Sequence, residues 1–120
     1  MVAKRNRPRC VRGETIEMPS PCGKIYVTLN DDDSGKLMEI FVRFGKSGTC
    51  ASLVANALTI VTSYGLRSGM DVSDAVKGLI GHGCHRAPVI DGDDRITSCV
   101  DAIGKAIRLH AGLLEAPAAD

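Results

Sequence analysis

The sequence predicts an α+β domain: a small antiparallel sheet, made of an N-terminal hairpin and one short strand, with about three helices packed on one face. Three observations predict it. The runs "KIYVTLN" and "KLMEIFVRF" alternate apolar and polar residues on either side of the turn cluster "DDDSG", as the strands of a half-buried hairpin do. After residue 50 the apolar residues recur at helical spacing almost to the end of the chain. Strands first and helices afterwards is the order of a sheet with helices segregated to one side.

The 120 residues suit a single domain, which at this size buries roughly 65% of the surface of its unfolded chain. With no Trp, two Tyr and two Phe, its core must come from Val, Ile, Leu, Ala and Met. Residues 1–13 are polar, basic and Pro-containing, and read as a flexible arm. The domain is expected over 14–115, with a polar tail at 116–120. "ETIEM" (14–18) is a short strand stopped by Pro19 and Pro21. In the hairpin, Ile25, Val27 and Leu29 fall on one face, and Tyr26 and Thr28 on the other. Met38, Ile40, Val42 and Phe44 point inward in the second strand, and Leu37, Glu39, Phe41 and Arg43 outward. The first helix carries Leu53, Ala57, Ile60, Val61 and Tyr64 at helical spacing and ends near Gly65 or Gly69. A second runs from about Asp71 to Ile80 and stops in "GHG". "CHRAPVIDGDD" reads as loop. The third, from Cys99 to about Leu114, sets Val100, Ile103, Ala106, Ile107 and Leu113 along a stripe.

Several classes of function are disfavoured by composition. A net charge of +1 is not that of a polyelectrolyte binder, although Lys4, Arg5, Arg7, Arg9 and Arg12 crowd the first twelve positions. That basic arm suits weak, salt-sensitive contact with nucleic acid, or else a solvated linker. No apolar stretch follows the N-terminal charges as in a signal peptide. The longest apolar-leaning run, Ala51 to Val61, is too short to span a bilayer. Five cysteines without a secretion signal point to a reducing, cytoplasmic setting.

The chemistry-bearing candidates begin with the cysteines. Ser98 and Asp101 have the spacing of a helix cap, which puts Cys99 in a first turn where a thiolate is stabilised. Cys99 is then a reactive thiol, a metal ligand, or a small residue that fits. Cys22, Cys50, Cys84 and Cys99 all lie at element ends, and four thiolates meeting at one corner would suit zinc. No C-x-x-C knuckle pre-forms such a site, and small buried thiols are the plain alternative. Cys10 is a bystander. "FGKSGTC" joins strand to helix through a Gly-Lys-Ser-Gly turn that can seat an anion, but it lacks the first glycine of a P-loop, position 40 being Ile. Tyr26, Phe41 and Arg43 share the outward face of the hairpin, where they either pack on another subunit or stack a ring-shaped ligand. In "HGCHRAP", His85 could replace a thiol at a metal, though His85 and Arg86 also suit a solvated loop.

Three stretches, "PCGKIYVTLNDD", "FVRFGKSGTCASLVANAL" and "ITSCVDAIGKAI", together resemble the TSCPD domain. This domain is best known at the C-terminus of adenosylcobalamin-dependent (class II) ribonucleotide reductases, and occurs free-standing, including in viral genomes. The resemblance spans roughly residues 7–108. The naming motif stands here as "TSCVD", Thr97 to Asp101, with Val100 in place of Pro. The family's recurrent thiols fall on Cys22, Cys50, Cys84 and Cys99, which implies a shared zinc site. No catalytic role is implied, and the reductase barrel is missing from this chain. The leading expectation is a non-enzymatic accessory module of this type, homo-oligomeric through its sheet face and associated with ribonucleotide reductase or nucleotide recognition. Tyr26, Phe41, Arg43, Lys46, Ser47 and Arg67 are its expected ligand contacts. The alternatives are a free-standing protein that sequesters a signalling nucleotide, a nucleic-acid-binding module using the basic arm, and a thiol enzyme using Cys99.

Overall fold

A computed structural model describes residues 4–45 and 49–112. Strands β1 (Arg12–Met18), β2 (Ile25–Asp31) and β3 (Leu37–Phe44) form an antiparallel sheet in the order β1-β2-β3. Helices α1 (Cys50–Arg67) and α2 (Val72–Leu79) follow, then a short hairpin of β4 (Val89–Asp91) and β5 (Asp94–Ile96), and α3 (Cys99–His110) closes the order. The α+β class is the one expected. The β4–β5 hairpin falls where a loop was read, because three-residue strands are too short to establish an alternation.

The β2–β3 turn is built as its sequence suggests. One Asp32 carboxylate oxygen accepts from the Ser34 and Lys36 amides at 2.9 and 3.0 Å. The same oxygen accepts from the Ser34 hydroxyl at 2.6 Å. These bonds, led by the Ser34 hydroxyl, hold the Asp32 carboxyl well below the usual carboxylate range despite an opposing effect of burial.

Register fixes which residues face the helices. Ile16, Val27 and Val42 lie across the sheet from one another, as do Met18, Ile25 and Phe44. Ile25, Val27, Leu29 and Ile40 are fully buried and pack with Ile103, Ala106 and Ile107 of α3. A bulge at Asn30/Asp31 sets Leu37 opposite Asp31, so Leu37 joins the core rather than pointing outward. Glu39 keeps its outward side but is also buried, for a different reason. Arg7 donates to one of its carboxylate oxygens at 2.8 Å and the Asn30 amide to the other at 2.7 Å.

Residues read as a loose arm are therefore engaged with the domain. The Arg5 amide donates to the Arg67 carbonyl at 2.9 Å. Its guanidinium reaches the Leu66 carbonyl and pairs with Asp32, tying the C-terminus of α1 to the β2–β3 turn. Lys4 sits 4.1 Å from the Tyr64 ring centre. The first strand starts at Arg12, inside the expected arm.

Helix α1 reverses the usual rule for a helix packed on a sheet. Its apolar stripe is exposed: Leu53 by 69%, Val54 by 60%, Val61 by 66% and Tyr64 by 48%. The buried side carries Ala55, Thr59, Thr62, Ser63 and Leu66. The cause is the free edge of β3, whose backbone groups need polar partners. The Ser63 hydroxyl accepts from the Ile40 amide at 2.9 Å. Its proton lies between the carbonyls of Ile40 (3.1 Å) and Thr59 (2.8 Å). A hydroxyl here does the work of a missing fourth strand.

Helices α2 and α3 meet closely at Gly104, where a Cβ would come within 2.9 Å of Leu79 and Ile80 side-chain atoms. α2 ends as read: Gly81 takes φ of +92°, a left-handed conformation that glycine adopts without cost.

Candidate functional site

The corner that holds the site is assembled around the start of α3. Ser98 caps the helix, its hydroxyl accepting from the Asp101 amide at 2.9 Å. Asp101, 1% exposed, turns its carboxylate back out of the helix. It accepts from the amides of Gly81 (2.8 Å) and Thr97 (2.9 Å) and pairs with Lys105 at 2.9 Å. Burial pushes the Asp101 carboxyl upward, but the Gly81, Thr97 and Lys105 bonds outweigh it and the group lies below its ordinary value. The Thr97 hydroxyl donates to the His82 carbonyl at 2.8 Å, and the Cys84 amide to the Thr97 carbonyl at 3.2 Å. Thr97, Ser98 and Asp101 of "TSCVD" thus act as a staple that fastens the segment after α2 to the head of α3.

Cys99 stands in that first turn against Cys22, both half-buried. Burial, and then the neighbouring Cys22, push the Cys99 thiol above its ordinary value. The expected stabilisation of a thiolate by the helix end is overcome: amides near the sulfur lower the value, but less than desolvation raises it. Cys84 is exposed, its sulfur accepting from the Arg86 amide at 3.3 Å. Cys50 is exposed at the head of α1. Among the described residues no group of three or more His, Cys, Asp or Glu side chains is placed to hold a metal ion. The contact between Cys22 and Cys99 is a pair, and a pair does not supply the tetrahedral set of structural zinc.

Beside the thiol pair lies a cleft of about 430 Å³, bordered by Cys22, Lys24, Phe44, Thr49, Ala51 and Arg86. Thr49 caps α1, accepting from the Ser52 amide at 3.0 Å, and the first turn of α1 contains no acidic residue. The positive end of a helix and two cationic side chains therefore border one cleft. Lys24 is held only loosely, 3.6 Å from Glu17, with both side chains more than half exposed. No acid pairs with Arg86 among the described residues.

The expected ligand contacts are divided by the structure. Tyr26, Phe41 and Arg43 do come together on the outer face of the sheet. There Arg43 lies 5.1 Å from the Tyr26 ring centre, beside Thr15 and Thr28, over a shallow depression of about 200 Å³. Arg67 is apart from them, at the far end of α1, 5.4 Å from the Tyr64 ring centre. Lys46 and Ser47 lie outside the described residues. Lys24 and Arg86 were not among the expected contacts: each sits in an unremarkable loop or turn, and only the fold brings them to one opening. The Gly45–Thr49 turn was the one local signal for that opening, and Gly45 and Thr49 both border it.

No helix among the described residues is long and apolar enough to cross a membrane. Comparison with known proteins found no match among curated proteins and none among solved structures. A family model does match, over residues 1–111. Together with the staple formed by Thr97, Ser98 and Asp101, that match over nearly the whole chain makes this protein a member of the TSCPD domain family.

Proposed function

We propose that this TSCPD domain is a non-catalytic binding module for a nucleotide or its phosphate group. In this reading it works beside nucleotide-reducing enzymes, as its family resemblance implies. One observation carries the reading: the cleft bordered by Lys24, Arg86 and the head of α1, where charge, helix polarity and an aromatic wall coincide. Lys24 and Arg86 take the phosphate, helped by the first amides of α1. Phe44 offers an apolar surface for a base. Binding without turnover accords with burial, and then Cys22, pushing the Cys99 thiol up, away from the thiolate form that a nucleophile needs.

Thermal denaturation with a panel of mononucleotides, cyclic nucleotides and inorganic phosphate tests it. A ligand present at 100 times its dissociation constant adds about 2.7 kcal/mol of stability. Lys24→Glu and Arg86→Glu should each weaken the best compound about 10-fold or more by titration calorimetry. If no compound shifts the transition, or if both variants bind as the natural chain does, the cleft is not the site.

A further inference from the structure

The exposed side of α1 carries an inference independent of the cleft. Over its 18 residues α1 has a single charged side chain, Arg67, in its last turn. A helix facing water on one side normally carries charges there. Instead this side presents Leu53, Ala57, Ile60 and Tyr64, with Val54 and Val61 alongside, all exposed. The first four are separated by four, three and four residues, the alternation of the two apolar positions in a coiled-coil heptad. That spacing reads the same from either end, which is what a two-fold contact between antiparallel helices demands.

We propose that α1 is the interface through which two copies of this chain associate, antiparallel across a two-fold axis near residues 57–60. In that arrangement Leu53 faces Tyr64 of the partner subunit, and the small Ala57 faces Ile60 of the partner subunit. Large side chains thereby meet small or flat ones. The exposed stripe amounts to on the order of 500 Å² per copy. A pair would then remove about 1,000 Å², the threshold for a specific though modest interface. Lys4 and Arg67, stacked on Tyr64, lie at the ends of the seam, where interface rims are polar. A membrane surface is the weaker occupant, because helices that lie on lipid carry Lys and Arg along their polar side, and the other side of α1 is Ala55, Thr59, Thr62, Ser63 and Leu66, buried and without a cation. The contact between copies is thus placed on α1 rather than on the outer sheet face.

Sedimentation equilibrium of the full chain, at about 1 to 100 μM to bracket a micromolar dissociation constant, provides the test. The expected mass is twice the 12.7 kDa of one chain. Ala57→Glu and Ile60→Lys, both at exposed positions, should each give monomers with an unchanged circular dichroism spectrum. Mixing the two variants should restore a dimer, because position 57 of one faces position 60 of the other. A monomeric natural chain overturns the proposal, as does a dimer indifferent to both substitutions. So does co-sedimentation of a monomer with anionic phospholipid vesicles, which would assign the stripe to lipid.

Discussion

Asp101 shows how one side chain gives a short motif its meaning. Its position three residues after Ser98 marks a helix start, and that much is readable locally. The partners of its carboxylate are not: Gly81 lies twenty residues back. Replacing Asp101 by Ala removes the acceptor of the part-buried Gly81 and Thr97 amides and leaves Lys105 only Asp94 and the Arg95 carbonyl, and should cost about 1 to 3 kcal/mol by urea denaturation. His110 is the second residue with a definite prediction. Its ring, 9% exposed, bridges Asp31 at 2.8 Å and Glu14, so the end of α3 is clasped to β1 and β2. Burial lowers the affinity of His110 for its proton, but bonds to Asp31 and Glu14 outweigh it and the value lies above the ordinary 6.5. A raised value means that the folded state holds the proton more tightly. The contribution is therefore complete below about pH 6.5 and is lost as pH rises through the raised value. His110→Gln should destabilise the protein at pH 6 and have a smaller effect at pH 9, measured by denaturant midpoints at both. An equal loss at both would mean that the clasp does not depend on charge.

At the scale of elements, α1 and the α2–α3 contact show how packing selects among equally helical surfaces. The strip of Thr59, Thr62 and Ser63 looks like the solvent side of an amphipathic helix, yet it is the side that meets β3. A strand edge offers amides and carbonyls, and the Ser63 hydroxyl answers those of Ile40 where a leucine could not, while the Thr59 and Thr62 hydroxyls donate back to the α1 carbonyls of Asn56 and Leu58. Helices α2 and α3 instead meet through the absence of a side chain. Gly104→Ala places a methyl 2.9 Å from Leu79 and Ile80, and overpacking of this kind should cost about 1 to 3 kcal/mol. A fall in the thermal midpoint with an unchanged fold would show it, whereas a rise would mean that the helices separate easily and alanine's helix propensity prevails.

For the whole molecule, the segment before β1 changes what its charges are for. Lys4, Arg5 and Arg7 are engaged by Tyr64, Asp32 and Glu39 respectively, so much of a basic cluster that looked available to an outside polyanion serves the domain itself. The sheet's outer face is correspondingly divided, with Arg7 over Glu39 at one part and Tyr26, Phe41 and Arg43 open at another. The candidate cleft likewise belongs to the assembled molecule. Its borders come from the turn before β2, the end of β3, the head of α1 and the loop before β4.

Although α3 stops at His110 and not near Leu114 as its apolar stripe suggested, the sequence by itself determined the strands of the hairpin, the three helices and their starts, the Ser98 cap and the family. Each is written in neighbouring residues through period, capping and turn chemistry, which act over a few positions. The tertiary structure alone decided which side of α1 is covered, where Leu37 and Glu39 point, that Cys22 meets Cys99, and that Lys24 and Arg86 border one opening. Burial and electrostatics are relations between elements: a β3 edge, a second thiol or a facing arginine lies far along the chain, and no local pattern records its distance.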